Sequence, residues 1–181
     1  MRLFFAIELP AEVRSVLARL KPEEAGDDYR WVDPALLHVT LAFLGEQPAD
    51  SLESLRRVGG EAVSHSRGGL LRLGKAGHFG SSRAPRVLWV DLVDDRQALG
   101  ELQSRLDIAL RDAGFALEDR PFRPHITLAR RRQTARGGPP PGWPPIVGQA
   151  MFSLRHLSLM QSHLSSRGAS YEAVFELPIG G

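Results

Sequence analysis

Cysteine is absent from the 181-residue chain, and this absence excludes several kinds of chemistry. Without a thiolate there is no disulfide framework, no cysteine-ligated zinc or iron–sulfur site and no thiol nucleophile. The sequence also lacks any apolar run as long as the roughly 20 residues that a membrane-spanning helix needs. Its composition, 43% hydrophobic and 24% charged, is typical of a globular protein. We therefore expect a cytoplasmic protein whose chemistry depends on histidine, carboxylate, hydroxyl or arginine groups.

Lysine is almost absent too, because only Lys21 and Lys75 among the 23 basic residues are lysines and the rest are arginines. Arginine binds phosphate well through its forked guanidinium group. The net charge is only +2, however, and a codon bias toward arginine explains the abundance equally well. No glycine-rich phosphate loop followed by lysine appears, so the sequence predicts no nucleotide site for an ATP-driven ligase.

The pattern of apolar residues predicts three helices among seven strands, an α+β arrangement of mainly antiparallel sheet with helices on its outer faces. Asp50 and Glu53 resemble a capping box at the start of the second helix, and Asp94 or Asp95 is expected to cap the third. The predicted strands cover residues 3–9, 36–44, 70–79, 86–93, 125–129, 152–160 and 171–177. Residues 21–30 and 133–145 are predicted loops.

One five-residue pattern occurs twice, as HVTLA at 38–42 and HITLA at 125–129, 87 positions apart. This spacing is close to half the chain, and it indicates an internal duplication. Residues i and i+2 of a strand point to the same face, so each histidine projects beside its threonine while the apolar residues between them face the core. We therefore expect His38, Thr40, His125 and Thr127 to meet in a cleft between two pseudo-symmetric halves.

Two imidazoles at one site suit in-line displacement at phosphorus. One neutral ring accepts a proton from the nucleophile and the other, protonated, donates one to the leaving oxygen. Threonine hydroxyls and an arginine can hold the non-bridging phosphate oxygens. Two histidines without a carboxylate or cysteine make a poor metal site, so neither a metal nor another cofactor is expected.

The sequence resembles the RNA 2',3'-cyclic phosphodiesterases, the 2'-5' RNA ligase family within the 2H phosphoesterase superfamily. The likeness extends over nearly the whole chain. It is carried by both five-residue patterns and by the segments RLFFAI at 2–7, FLG at 43–45, RPFRP at 120–124, PRVLW at 85–89 and the C-terminal Gly168, Tyr171 and Leu177-Pro178. The resemblance implies a single bilobal domain over 1–181 with both histidines in a central cleft.

The resemblance also implies an activity, namely metal-independent hydrolysis of RNA 2',3'-cyclic phosphate ends to 2'-phosphomonoesters by a monomer. It suggests that His38 donates the proton to the departing O3' and that His125 activates water, an assignment that the near-identical patterns cannot make by themselves. Three alternatives remain open: reversible 2'-5' RNA ligation, hydrolysis of cyclic nucleotides, and non-catalytic binding of RNA 3' ends.

Three further features are candidate substrate contacts. The family places an arginine at position 130 beside the phosphate, but its odd offset from His125 puts it on the wrong face unless the strand ends or bulges near Ala129. Phe5 is expected in the core. The alternative is a position at the floor of the cleft, where its ring would stack on a base, and on that account Phe5 is a candidate substrate contact. The basic run with Trp143 in the 133–145 loop could track RNA, although a solvated loop with a packed tryptophan is favoured.

Overall fold

The protein forms one mainly antiparallel sheet of nine strands with three α-helices, in a computed structural model that describes residues 1–165 and 168–180. This confirms the predicted α+β class. The strands are β1 (Arg2–Glu8), β2 (Tyr29–Trp31), β3 (His38–Glu46), β4 (Leu70–Ser81), β5 (Ala84–Val93), β6 (His125–Arg131), β7 (Met151–Ser153), β8 (His156–Ser165) and β9 (Gly168–Pro178). The helices are α1 (Ala11–Ala18), α2 (Ser51–Ser64) and α3 (Ala98–Asp112), with a 3-10 turn at Pro34–Leu36.

The strand order divides into two sets of four, β7-β4-β5-β6 and β3-β1-β8-β9, with β2 beside β6. The sets meet where β3 and β6 run side by side, through the single antiparallel residue pair Val39 and Ile126. These are equivalent positions of the two repeated patterns, so the pair lies on a local twofold axis. That residues 1–181 form one domain of two duplicated lobes stays a prediction.

One face of the sheet, called the back here, packs against the helices. The fully buried leucines of α3 at positions 99, 102, 106 and 110 join Val39, Ile126 and the apolar face of α2 in one core cluster. Each such leucine stabilises the fold by about 1.5–3 kcal/mol through burial. The opposite face, called the front, carries both histidines. No helix in the described part of the chain is long and apolar enough to cross a membrane.

Two predicted boundaries were wrong. Residues 29–31 form β2 instead of ending a loop, because Tyr29 and Trp31 pack behind β6 against Leu88 and Ala129. Three residues are too few to show a period in the sequence. The predicted strand 152–160 is two strands, β7 beside β4 and β8 beside β1. At residues 154–155 the chain passes from β7, at one end of the strand order, to β8, next to the strand at the other end. There the Leu154 N–H donates to the Gly69 carbonyl, 2.8 Å away.

The helix caps differ from each other. Asp94 accepts hydrogen bonds from the first amides of α3, those of Ala98, Leu99 and Gly100, at 3.0, 2.8 and 3.2 Å. This confirms its predicted role. The predicted capping box at α2 was wrong, since the Asp50 side chain makes no capping hydrogen bond. Its backbone has helical dihedral angles, which differ from the extended ones that a capping side chain needs.

These caps predict unequal costs of removing two aspartates. We expect Asp94→Ala to lower the free energy of unfolding by about 1–2 kcal/mol, because three amides lose their acceptor. The matched Asp50→Ala variant should change it by less than about 0.5 kcal/mol, as exposed residues without such a role do. Urea unfolding of the two variants measures both values, and equal losses would contradict the assignment.

Candidate active site

The two histidine strands have the same burial pattern. In β3, His38 and Thr40 are half-buried on the front, while Val39 and Leu41 are buried behind them. In β6 the pattern repeats residue for residue from His125 to Arg130. The alternation that the sequence predicted is therefore confirmed in both copies. The two patterns lie on neighbouring antiparallel strands, with their polar members on one face.

Each copy also contains a β-bulge at the same place. Across β1, Ala42 pairs with Phe5 and Thr40 with Ala6, so Leu41 has no opposing residue. Across β5, Leu128 is unopposed in the same way, between Ala129 and Thr127. An extra residue turns the rest of the strand over, so leucine and alanine are both buried and the next residue returns to the front.

The bulge decides the position of Arg130. Its odd offset from His125 would place it on the back of a regular strand, and the extra residue restores it to the front. Its charge acts on both imidazoles, as expected of a group that lies near them both. The condition stated for Arg130, a bulge near Ala129, is therefore met. The equivalent residue in β3 is Phe43, so β6 carries an arginine at the position where β3 carries an aromatic ring.

Backbone carbonyls orient both imidazoles. His38 Nδ1 lies 2.8 Å from the Leu36 carbonyl oxygen, and His125 Nδ1 lies 2.7 Å from that of Arg123. A carbonyl only accepts hydrogen bonds, so each Nδ1 carries the proton and donates it. In the neutral ring Nε2 is then the basic nitrogen, free to exchange a proton with substrate. His38 Nε2 lies 3.1 Å from the Thr40 hydroxyl oxygen.

Aromatic rings flank both histidines. The rings of Phe4 and Tyr171 lie 5.0 and 5.1 Å from that of His38, measured between centroids. Phe79 lies 5.0 Å from His125 and packs against Trp89. Residue-by-residue alternation in β1 could have identified Phe4, which shares the front with Ala6 and Glu8. Tyr171 comes from β9, and no local pattern connects it with His38.

Phe5 does not line this face. It is fully buried on the back, where its ring lies 6.3 Å from that of Phe175 and beneath Gly59. A side chain added at Gly59 would lie 3.2 Å from the Phe5 ring. The assignment of Phe5 to the substrate site was therefore wrong and its assignment to the core right, because neighbouring strand residues point to opposite faces. The ring on the front is that of Phe4.

Trp143 is packed against the fold, as the favoured interpretation of the 133–145 loop predicts. Its ring lies 6.2 Å from that of Trp31, and both tryptophans join the small cluster behind β6. Arg131 is held in the same region, donating to the carbonyls of Gly137 and Ala135 at 2.7 and 3.1 Å. This part of the loop therefore packs against the fold.

Burial lowers the pKa of both imidazoles below the ordinary 6.5. The carbonyl contacts raise the pKa of each ring in part, and the Arg130 charge lowers both. Only at His38 does the charge of a carboxylate, Glu8, also act on the ring, and it raises the pKa. Both rings are therefore mainly neutral at pH 7 without a ligand.

Carboxylates face both histidines across the sheet, but differently. Glu8 is directly opposite His38, and its Oε1 accepts a hydrogen bond of 2.8 Å from Ser158. Asp91 is directly opposite His125, but its Oδ1 accepts from the Lys75 backbone N–H. Each carboxylate therefore has one oxygen engaged in a hydrogen bond, and only the charge of Glu8 acts on the imidazole opposite it. No cluster of three or more metal-ligating side chains occurs among the described residues.

Residues 8–164 match the family model of the 2'-5' RNA ligase superfamily. The chain belongs to this superfamily. An Escherichia coli relative, named RNA 2',3'-cyclic phosphodiesterase, is 38% identical over 78% of each protein. A Thermus thermophilus protein of that name is 30% identical over 100% of this chain and 91% of its own length. The chain spans 57% of the Geobacillus stearothermophilus relative of the same name.

Solved structures of the superfamily share the fold. A Thermus thermophilus protein superposes with a TM-score of 0.87 and 28% identity, covering 100% of this chain and 99% of the other. Escherichia coli LigT, crystallised with 3'-AMP, gives 0.77 and 33% identity, covering 98% and 97%. The open, mainly antiparallel sheet with its three helices is therefore the superfamily fold.

The charges around the two imidazoles predict how their pKa values respond to substitution. Arg130→Gln removes a cation that acts on both rings, so both pKa values should rise. Glu8→Gln removes the carboxylate opposite His38, so only the pKa of His38 should fall. Titration of the ring protons by NMR, in free protein, measures each value separately. If Arg130→Gln left both unchanged, Arg130 would not lie at the histidine pair.

Proposed function

We propose that the protein hydrolyses RNA 2',3'-cyclic phosphate ends to 2'-phosphomonoesters, with two histidines as acid and base and without a metal. One observation carries the proposal: two imidazoles share one face, and each donates its Nδ1–H to a backbone carbonyl, which leaves Nε2 as the basic nitrogen. The name of its relatives supports the substrate. The 3'-AMP in the LigT crystal, a ribose phosphate, supports it too.

The reaction follows from this arrangement. His125 Nε2 takes a proton from water while the water oxygen attacks phosphorus. The P–O3' bond breaks, and His38 Nε2–H gives its proton to O3', leaving a 3'-hydroxyl and a 2'-phosphate. Thr40, Thr127 and Arg130 hold the non-bridging oxygens, whose charge grows in the transition state. Atoms and protons balance with water as the only co-reactant.

The different carboxylates favour His38 as the acid. Burial and the Arg130 charge lower the pKa of both rings, but only at His38 does a carboxylate charge, that of Glu8, oppose this lowering and favour the protonated form. A bound cyclic phosphate adds one negative charge between the rings and favours a single proton shared by the pair. This is the state that acid–base catalysis needs. Action as a monomer and a cytoplasmic location stay predictions, open to sedimentation and fractionation.

The proposal predicts that activity requires both histidines and survives chelation. We expect His38→Ala and His125→Ala each to lower kcat by about 10² or more, the usual scale for a lost acid or base. His65→Ala is the matched control, because His65 is exposed at the end of α2 and contacts Ser64. Hydrolysis of a short cyclic-phosphate RNA in EDTA measures all three.

Loss of wild-type activity in EDTA would contradict the metal-free mechanism. Near wild-type rates in either histidine variant would contradict the two-histidine mechanism. No turnover of the RNA by the wild-type enzyme would favour a module that only binds 3' ends. Product analysis of the same reaction, with a 5'-hydroxyl acceptor added, separates hydrolysis from ligation.

A substrate analogue with a bridging sulfur atom tests which histidine is the acid. Sulfur in place of the bridging 3' oxygen leaves without a proton, so the contribution of the acid should vanish. We expect His38→Ala to recover most of its rate on this substrate and His125→Ala to stay slow, as measured by thiol release. Recovery of His125→Ala would reverse the assignment, and recovery of neither would contradict the general-acid step.

A further inference from the structure

A second arginine lies beside Arg130 on the front of the sheet. Arg30 in β2 is directly opposite Arg130 in β6. Directly opposite residues of antiparallel strands share a face, with Cβ atoms about 5 Å apart. Since the bulge turns Arg130 to the front, Arg30 points to the front as well, and its side chain is exposed.

The two guanidinium groups have no protein counterion. Like charges directly opposite each other destabilise a sheet unless an anion lies between them. Within residues 1–165 and 168–180, no ion pair involves Arg30 or Arg130. Asp28, the nearest acid along β2, accepts instead from the backbone amides of Arg136 and Gly137 at 3.2 and 2.9 Å. The charges of the two arginines are therefore available to bind an anion from outside the protein.

Packing holds the backbone of Arg30 in place. Its neighbour Tyr29 is 3% exposed and donates its hydroxyl proton to the Pro85 carbonyl, 2.9 Å away. On the other side, Trp31 packs against Trp143, and the Val32 N–H donates to the Leu128 carbonyl at 2.8 Å. A fixed base reduces the entropy that an arginine loses when it binds a ligand.

Arg130 and Arg30 differ in how they act on the histidines. The charge of Arg130 acts on both imidazoles, and that of Arg30 is not among the charges acting on either. Arg130 is therefore the cation for the reacting phosphate. Arg30 is on the neighbouring strand β2, directly opposite Arg130 and within reach of a second anion next to the first. In an RNA end, that anion is the phosphodiester that joins the last two nucleotides.

We propose that Arg30 binds the phosphodiester on the 5' side of the terminal nucleotide, so that Arg130 and Arg30 hold two successive phosphates of one RNA end. This inference rests on the proposed function, because the reacting cyclic phosphate defines the first position. It makes the enzyme selective for oligonucleotides over a mononucleotide 2',3'-cyclic phosphate. The chemistry recognised is a charged phosphodiester, whatever the base.

Three substrates test the inference: adenosine 2',3'-cyclic phosphate, the dinucleotide ApA with the same end, and that dinucleotide with an uncharged methylphosphonate linkage. We expect the wild-type enzyme to favour the charged dinucleotide over the neutral one by about tenfold in kcat/KM, the scale of one hydrogen-bonded charge contact. Arg30→Gln should reduce this ratio to about one. Arg30→Lys, which keeps the charge but loses the fork, should retain part of it.

Arg86→Gln is the matched control. Arg86 is an exposed arginine in β5, next to Val87, which is opposite Arg130 on the front. It therefore points to the back, and its loss changes the net charge equally. We expect this variant to keep the wild-type ratio between the charged and neutral dinucleotides.

Salt dependence gives a second measurement. One phosphate contact to a single strand contributes about 0.7 to the slope of log affinity against log salt concentration. In kcat/KM for the charged dinucleotide, Arg30→Gln should lower this slope by about that amount relative to the wild-type enzyme, and Arg86→Gln should not.

Two results would overturn the subsite while leaving the proposed function intact: equal kcat/KM for the charged and neutral dinucleotides in the wild-type enzyme, or an unchanged ratio in Arg30→Gln. A wild-type enzyme that hydrolyses none of the three substrates would instead contradict the proposed function, and the subsite with it.

Discussion

The antiparallel pairing of Val39 with Ile126 is the contact on which the arrangement of the site depends. It joins the two four-strand sets at equivalent positions of the repeated pattern, so the two histidine strands are related by a local twofold axis. The side-chain period of a strand is two, and a slip of one residue at this pair would turn one histidine into the core. Burial of Val39 and Ile126 on the back opposes that slip. The same apolar packing that stabilises the sheet therefore keeps both imidazoles on the front.

The two histidine strands are nearly symmetric, but the charged residues around their histidines differ. Both copies have the same burial pattern, the same bulge and the same carbonyl contact to Nδ1. The differences occur around the histidines, where Arg130 corresponds to Phe43 and where the charge of Glu8 raises the pKa of His38. A displacement reaction needs one acid and one base, and these neighbours distinguish two otherwise equivalent histidines. The repeated pattern supplies the pair, and the residues around it supply the difference in charge.

The pair of arginines on the front, Arg30 and Arg130, depends on β2. This short strand covers the edge of β6 beyond the point where β3 diverges, and its buried tyrosine and tryptophan fix it there. Through β2 the front gains Arg30, one strand beyond the cation at the histidines. The Gly- and Pro-rich loop contributes by packing, because its amides donate to Asp28 and its tryptophan packs edge to face against Trp31 behind the sheet. The loop therefore supports Arg30 and Arg130 from the back of the sheet.

The sequence by itself determined the α+β class, the two His-x-Thr strands and the division of their residues between core and cleft, because alternation and repetition are local properties of the chain. It also showed that Arg130 needs a bulge to share a face with His125 and Thr127. Only the tertiary structure decided that the bulge exists, that Phe4 faces the site in place of Phe5, and that Tyr171 and Arg30 lie near it. Those facts depend on register between strands distant in sequence. Register is set by how the whole sheet buries its apolar face, so it cannot be predicted from any short segment of the sequence.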